Sequence, residues 1–266
     1  MRLHNKTILI TGGYTGIGRA MAKRCVEEGA KVVVNGLEDA KGQLLVEELG
    51  SENALHHTVD VTAENAPVQL IGTALEKYGK LDVLINNAAL VSSSNIETTD
   101  DAFLKRVLAT NTVAPLALIR AALPHLTETR GCVLNIGSIN AWCGEPDLLA
   151  YSMSKGALMT MTRNLGDTLF RENRVRVNQI NPGWVLTERE MVDKKRQGMR
   201  EDWFKDLPDI FAPAQRIFSP EEIAAAAVYL VSDECGPVSA QVIELEQFPL
   251  IGRNLPKKWE GSHGRE

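Results

Sequence analysis

The sequence is poor in cysteine, and its cysteines form no recognisable pattern. The 266 residues include four, at positions 25, 132, 143 and 235, and none of them stands in C-x-x-C spacing. A zinc site or a disulfide framework requires cysteines that are paired at short, regular spacing. The sequence therefore predicts no metal site and no disulfide framework.

Long apolar runs and an excess of basic charge are also missing. No apolar run approaches the roughly 18–20 residues of a membrane-spanning helix. The formal net charge of −5 gives no electrostatic attraction to nucleic acid or to an anionic membrane. The first residues, Met1 to Lys6, have no signal-peptide pattern. We therefore expect a cytoplasmic protein that binds neither nucleic acid nor a membrane.

The chain does contain a regular alternation of two patterns. Short apolar runs typical of strands alternate with stretches in which apolar residues recur at helical spacing. The predicted strands cover residues 7–10, 31–35, 54–59, 81–85, 131–136, 175–180 and 242–245. Such an alternation predicts an α/β fold in which a parallel sheet of about seven strands carries helices on both faces. We expect one domain over residues 1–252, with a lid at about 187–218 and a tail at 253–266.

A glycine-rich segment follows the first predicted strand. Gly12, Gly16 and Gly18 stand between that strand and a helical pattern. Glycines let the backbone turn tightly and approach a pyrophosphate, whose charge the N–H groups at the start of the helix can bind. The position favours a nucleotide site, although a plain tight turn would need the same residues.

Three side chains in residues 134–155 could together transfer a proton. Tyr151 and Lys155 are four residues apart in a helical pattern, so their Cβ atoms would lie about 5–6 Å apart on one face. A nearby ammonium lowers the pKa of a phenol, and we expect this for Tyr151. Ser138, at the end of the preceding predicted strand, could bind a substrate oxygen. Taken alone, the spacing favours an ordinary surface pair.

Together these motifs resemble the short-chain dehydrogenase/reductase family over nearly the whole chain. The matching residues occur in the family's order and approximate spacing: Thr11-Gly12-x-x-x-Gly16-Ile17-Gly18, Asp60, Asn86-Asn87-Ala88, Asn111, Ser138, Tyr151-x-x-x-Lys155 and Asn181-Pro182-Gly183. The resemblance implies a doubly wound Rossmann fold that binds NAD(P), usually as a homotetramer or homodimer. It also implies an oxidoreductase that passes a hydride between a substrate carbon and the nicotinamide.

The resemblance further implies the roles of individual residues. Tyr151 would be the general base or acid, Lys155 would lower its pKa and bind the nicotinamide ribose, and Ser138 would position the reacting oxygen. Asn111 would hold a water in the proton relay. The cofactor would contact Tyr151, Lys155 and the following residues: Gly12, Tyr14, Thr15, Gly16, Ile17, Gly18, Gly36, Leu37, Asp60, Val61, Asn87, Ala88, Ala89, Pro182, Gly183, Val185 and Thr187.

Several positions depart from the family's pattern. Ala89 replaces the usual glycine of the N-N-A-G motif, and residues 246–248 stand where many relatives carry Asp-Gly-Gly. After the second strand, an acid would indicate NAD and an arginine NADP. Gly36 and Leu37 supply neither, and Thr15 is not basic. Because no cation is available for a 2′-phosphate, we expect NAD in preference to NADP, with use of both cofactors as the alternative.

The substrate can be inferred only from the residues that flank the catalytic ones. The candidates combine apolar rings with hydrogen-bonding groups, which would suit a polyhydroxylated ring: Asn140, Trp142, Glu145, Trp184, Glu188 and Arg189. The tryptophans could instead only pack the lid. Residues 182–189 are similar to a segment of bacterial aldose dehydrogenases of the family, so we expect a sugar or polyol. The alternatives are an NADPH-dependent carbonyl or 3-oxoacyl reductase, and a non-catalytic member that senses cofactor.

Overall fold

A computed structural model describes residues 1–248, which form one parallel sheet with helices on both faces. The sheet has seven strands in the order β3-β2-β1-β4-β5-β6-β7. The strands are β1 (Thr7–Ile10), β2 (Lys31–Gly36), β3 (Ala54–Thr58), β4 (Val83–Asn86), β5 (Cys132–Ile136), β6 (Arg176–Pro182) and β7 (Val242–Leu245). The predicted doubly wound α/β fold is thus confirmed.

The sheet is buried on both faces because its strands are apolar on both sides. In β1, Ile8 and Ile10 point into one core and Leu9 into the other, as expected when side chains alternate along a strand. Helices α1, α2 and α9 cover the first face, and α3, α5 and α7 cover the second. The helices are α1 (Gly16–Glu27), α2 (Asp39–Leu49), α3 (Ala66–Tyr78), α4 (Asp101–Leu108), α5 (Ala114–Thr129), α6 (Asn140–Cys143), α7 (Leu149–Asn173), α8 (Glu188–Arg196) and α9 (Pro220–Val231).

The strand order places a crevice at the centre of the sheet. From β1 the chain proceeds outward to β2 and β3, then returns to the other side of β1 as β4 and continues outward. In such sheets, ligands bind at the carboxyl ends of the strands where this reversal occurs. The glycine segment follows β1 and Asn87 follows β4, so both motifs lie at the reversal.

Helices α4 and α5 form one continuous helix through a π-helical turn, Ala109–Val113. Residues 101–129 are long and apolar enough to cross a membrane by length and composition, which corrects the expectation that nothing in the chain could. Its inward face packs on the sheet through Leu118, Ile119 and Leu126. The helix is therefore part of the core of the fold.

The segment predicted as a lid contains α8 and a small apolar cluster of its own. Trp203, Leu207, Ala212 and Ile217 are buried together, with Trp184 packed against them. Trp184 and Trp203 stack with ring centroids 4.9 Å apart. Residues 249–252 and the tail at 253–266 lie outside the described residues.

Candidate active site

The glycine segment forms a tight loop between β1 and α1. Gly12 and Gly16 have φ angles of 62° and 53°, in the left-handed region that favours glycine. A Cβ at Gly18 would lie 2.2 Å from the carbonyl oxygen of Gly12, so only glycine fits there. Thr15 precedes the helix without a side-chain hydrogen bond to it, and no acid occupies the first turn of α1. Neither Thr15 nor a residue of the first turn therefore caps the N–H groups at the start of α1.

Asn87 connects the end of β4 to this loop. Its Nδ2 donates to the carbonyl oxygens of Thr11 and Gly12 at 3.0 and 2.9 Å. The N–H groups of Asn87 and Ala88 both donate to Thr11 Oγ1 at 3.1 Å. Ala89 does not have a positive φ angle, so its methyl group costs no backbone strain. These bonds fix the loop against the neighbouring strand.

The end of β2 lies beside Tyr14, a buried residue of the glycine loop between β1 and α1. A Cβ at Gly36 would lie 2.2 Å from the ring of Tyr14, whose hydroxyl is 3.1 Å from Thr58 Oγ1. Tyr14 thus packs in the core, while Leu37 is 71% exposed. Any side chain at position 36 would displace the tyrosine ring.

The predicted adenine contacts follow β3. Asp60 Oδ1 accepts hydrogen bonds from the N–H and Oγ1 of Thr62 at 2.8 and 2.7 Å, which orders the turn after the strand. Val61 is buried against the second core. The turn therefore presents an exposed carboxylate at the same edge of the sheet as Leu37.

Tyr151, Lys155 and Ser138 come together at the carboxyl end of β5. Lys155 is only 2% exposed, and its Nζ donates to the carbonyl oxygen of Ile136 at 2.7 Å. The same Nζ lies 5.6 Å from the centre of the Tyr151 ring. Ser138 and Tyr151 are joined by a hydrogen bond between their side chains. The predicted proton-handling group is thus assembled on α7 and β5.

Burial decides the charge state of this pair. Desolvation raises the pKa of Tyr151 to about 12; the hydrogen bond with Ser138 opposes this rise and the negative charge of Glu145 adds to it. Desolvation also lowers the pKa of Lys155 to about 7. The expected lowering of the tyrosine pKa is therefore not found, because desolvation is the largest effect on the phenol.

Asn111 lies in the π-helical turn and is fully engaged. Its Oδ1 accepts from the N–H of Leu90 at 2.7 Å, and its Nδ2 donates to Leu90 O at 3.0 Å and to Ser154 Oγ at 2.9 Å. Ser154 Oγ in turn donates to the carbonyl oxygen of Tyr151 at 2.6 Å. Asn111 thus connects the loop after β4 to the helix that carries the tyrosine.

Ser138 is held by Asn181 of the Asn-Pro-Gly motif, and Asn181 in turn is bound by Gln179, which we did not single out from the sequence. Asn181 Oδ1 accepts from the N–H of Ser138 at 3.1 Å and from Gln179 Nε2 at 2.7 Å. A Cβ at Gly137 would collide with both side chains. The sequence contained a signal for this contact, because amides are unusual in a strand that is buried on both faces.

A comparison of this sequence with models of known protein families identifies the family. The family model described as short chain dehydrogenase matches residues 6–198. The chain belongs to this family. As a short-chain dehydrogenase it acts on CH–OH groups with NAD(P).

Individual relatives cover most of this short-chain dehydrogenase. Glucose 1-dehydrogenase 2 of Bacillus subtilis is 34% identical over 248 residues, which cover 91% of this chain and 93% of the relative. L-fucose dehydrogenase of Mus musculus is 33% identical over 234 residues, with 87% and 84% covered. The structure of L-sorbose reductase from Gluconobacter frateurii, complexed with NADPH and L-sorbose, has a TM-score of 0.86 at 26% identity and covers 92% of this chain and 97% of that one.

The short-chain dehydrogenase brings two of its six candidate substrate residues close to Tyr151. Asn140 Nδ2 donates to Glu145 Oε2 at 3.3 Å, and Glu145 is close enough to Tyr151 to raise its pKa. Trp142 instead donates to Glu244 and lies under Arg163. Asn140 and Glu145 therefore form a polar pair beside the tyrosine.

The other three candidates lie in the segment that follows β6. Trp184 Nε1 donates to Glu190 at 2.7 Å within the apolar cluster. Arg189 pairs with Asp193 on the exposed side of α8. Glu188 Oε2 accepts from the N–H of Gly16 at 3.1 Å, so its carboxylate lies on the glycine loop.

The end of β6 and the start of this segment form a wall of the crevice. Val185 is buried and forms a bridge with Phe218. Thr187 Oγ1 accepts from Glu190 N at 3.1 Å and caps α8, while its methyl group faces Gly16.

Close to this wall, the residues after β7 fill the space beside Gly183. The Gly183 N–H donates to Leu245 O, and a Cβ at this glycine, which follows Pro182, would meet the Glu246 carboxylate. Burial raises the pKa of Glu246, whereas its hydrogen bonds with the N–H groups of Gln247 and Trp184 act in the opposite direction. The substitution of the Asp-Gly-Gly pattern thus places a half-buried carboxyl group behind Gly183.

The Glu188 contact bears directly on cofactor binding by this short-chain dehydrogenase. The glycine loop fits a pyrophosphate, because an anionic oxygen already lies on the Gly16 N–H. We expect Glu188→Ala to lower the KM for the cofactor about two- to tenfold, the worth of one typical hydrogen bond. Initial rates at varied cofactor would measure this, with Glu201→Ala, an exposed acid of the same segment, as control. An unchanged or higher KM would show that the Glu188 carboxylate does not compete with the cofactor's pyrophosphate for the Gly16 N–H.

Proposed function

We propose that the protein oxidises a secondary or anomeric CH–OH group of a sugar or polyol, with NAD preferred over NADP. The observation that carries the proposal is the polar pair Asn140–Glu145 beside Tyr151. A carboxylate and an amide next to the reacting oxygen suit a substrate with further hydroxyl groups. The named substrates of the glucose, fucose and sorbose enzymes support the same class.

The catalytic roles follow from the contacts of the three central side chains. Ser138, held by Asn181, hydrogen-bonds the substrate oxygen and presents it to Tyr151. Tyr151 accepts the hydroxyl proton during oxidation and returns it during reduction. Lys155 favours the phenolate whenever it is charged, since its Nζ lies 5.6 Å from the ring centre. Bound NAD(P) supplies the carbon that accepts or donates the hydride.

The cofactor would be held along the crevice from the adenosine end to the nicotinamide end. We assign the pyrophosphate to the glycine loop and the first turn of α1, and the adenosine to Leu37, Asp60 and Val61. The nicotinamide end would lie against Gly183, Val185 and Thr187. Asn87, Tyr14 and Gly36 shape these walls through the contacts described above.

The preference for NAD rests on the exposed end of β2. A 2′-phosphate is usually bound by an arginine there, whereas Leu37 is apolar and 71% exposed. We expect Leu37→Arg to raise kcat/KM for NADP about tenfold or more, because a charge-assisted hydrogen bond contributes about 1.5–3 kcal/mol. The measurement is kcat/KM with both cofactors, and Leu37→Gln serves as the uncharged control. An NADP preference in the unmodified protein would refute this assignment.

The substrate class can be tested directly. The purified protein is assayed against aldoses, ketoses, polyols and simple ketones, each with NAD and NADP and their reduced forms. We expect the highest kcat/KM with a sugar or polyol in the oxidative direction with NAD. Activity confined to reduction of simple ketones or 3-oxoacyl thioesters with NADPH would replace the proposal by the carbonyl or 3-oxoacyl reductase alternative.

The proposal includes a cytoplasmic homotetramer or homodimer with a single domain over residues 1–252 and a lid at 187–218. Two apolar side chains support association, since Val113 and Met153 are exposed on helices that pack against the same face of the sheet. Light scattering of the purified protein measures the number of subunits, and a monomer at micromolar concentration would refute this part.

A further inference from the structure

A cavity lies at the edge of the sheet opposite to the candidate active site. Its volume is about 370 Å³, and it is lined by Arg130, Phe170, Arg174, Arg176, Asp233 and Gly236. Arg130 and Arg174 precede β5 and β6, so the cavity is at the amino ends of these strands, whereas Ser138 and Tyr151 are at the carboxyl ends. The cavity therefore has no part in the hydride-transfer site.

Two of its arginines have a backbone conformation that L side chains rarely adopt. Arg130 and Arg174 have φ angles of 51° and 59°. Both follow the last residue of a helix, at the position where glycine is the usual residue because it has no Cβ. The chain thus carries arginine at two strained positions, and both residues line the same cavity.

The third arginine is buried without an acidic partner. Arg176 is 8% exposed and donates to the carbonyl oxygens of Leu230 and Ser232 at 2.8 and 3.1 Å. Within residues 1–248, none of the three cavity arginines forms an ion pair. The carboxylate of Asp233, which also lines the cavity, is already paired with Lys6 at 2.8 Å. The cavity therefore has a surplus of positive charge.

A simpler explanation covers only part of this arrangement. A cation after the last turn of a helix interacts favourably with the helix dipole, which accounts for Arg130 and Arg174 taken singly. It does not account for their convergence on one cavity with Arg176, whose side chain lies at the end of a different helix, α9. Three arginines that line one cavity without an acidic partner in residues 1–248 make it a candidate site for a phosphate group.

We propose that this cavity binds the phosphate group of a small molecule, either inorganic phosphate or a phosphate monoester. A phosphate carries about −1.5 to −2 charges at neutral pH, which matches the surplus of the three arginines. The cavity volume is at the small end of the range for ligand sites, about 300–1,000 Å³. Phe170 also lines the cavity, and an apolar residue there suits the organic part of an ester.

The test compares phosphate binding by the full-length protein and two double variants. In Arg130→Gly/Arg174→Gly, glycine keeps the left-handed backbone without strain, so the fold is retained. Arg130→Gln/Arg174→Gln is a second route to the same loss of charge. Arg106→Gln/Arg120→Gln is the matched control, since it removes two exposed arginines that do not line the cavity. Titration calorimetry with inorganic phosphate and with phenyl phosphate, at constant ionic strength, gives the affinity and the number of sites.

We expect the unmodified protein and the control to bind phosphate equally, and either cavity variant to lose about tenfold or more in affinity at one site per chain. Phosphate bound at the glycine loop would remain in every variant. The loss of affinity in the cavity variants therefore measures binding in the cavity alone. Tighter binding of phenyl phosphate than of inorganic phosphate would identify an ester as the ligand. Equal affinity for the two would identify inorganic phosphate. The proposal fails if the unmodified protein has no site that both cavity variants lose.

Discussion

Tyr151→Phe should lower turnover by about three to four orders of magnitude while the protein remains folded and still binds cofactor. The change removes only the hydroxyl group, which hydrogen-bonds Ser138 and would exchange the substrate proton. A positioned general acid or base contributes about 10²–10⁴-fold, and we assign this role to Tyr151. Steady-state kcat measures the loss of turnover, and a fluorescence titration measures cofactor binding.

The matched control for this variant is Tyr229→Phe. Tyr229 is exposed on α9, on the opposite face of the sheet from the helix that carries Tyr151. The same chemical change there should leave kcat within about twofold, because it removes only a surface hydroxyl. Turnover of Tyr151→Phe near the normal level would show that another group carries the proton.

Lys155→Met should have opposite effects on activity and on stability. Burial lowers the pKa of Lys155 to about 7, whereas an unfolded lysine has a pKa of about 10.4. Between these values the unfolded chain binds more protons, so this group makes the free energy of unfolding rise with pH from about 7 to about 10. Near pH 7 the folded chain bears the cost of burying the charge, on the order of 1.4 kcal/mol for each unit of difference.

Methionine has a similar length and no charge, so the variant should be more stable than the unmodified protein at pH 7 and should lose this rise with pH. Turnover should fall about a hundredfold or more, because no cation then favours the phenolate of Tyr151. Urea denaturation at several values between pH 6.5 and pH 9.5 measures the slope. A variant that is less stable at pH 7, with an unchanged slope, would show that the ammonium is not destabilised by burial.

Local patterns in the sequence predicted the fold and the strands and helices that carry the candidate site residues. Alternating strand and helix patterns are properties of short segments, and each strand of the sheet lies where an apolar run indicated it, within two residues at either end. The four-residue spacing of Tyr151 and Lys155 predicted a shared helix face, as found. The glycine loop was recognisable because its backbone conformation requires glycine at named positions.

Contacts between distant segments were not predictable in the same way. Glu188 reaches the Gly16 N–H across 172 residues of sequence, and nothing near either residue indicates the other. The placement of Tyr14 against Gly36 likewise depends on how the glycine loop meets the end of β2. The raised pKa of Tyr151 depends on the water that the folded chain removes, which no spacing of charged residues reveals.

The π-helical turn at Ala109–Val113 has a consequence for how this helix can evolve. Each residue of an α-helix advances the chain by about 100°, and a π-turn amounts to one inserted residue. Deleting a residue here would restore a regular helix, but everything after it would turn by about that angle. Leu118 and Leu126 would then leave the sheet, or Asn111 would leave Leu90 and Ser154. We therefore expect deletions in this helix to be poorly tolerated. The π-helical turn lets Asn111 reach its partners while the apolar face of α5 still packs on the sheet.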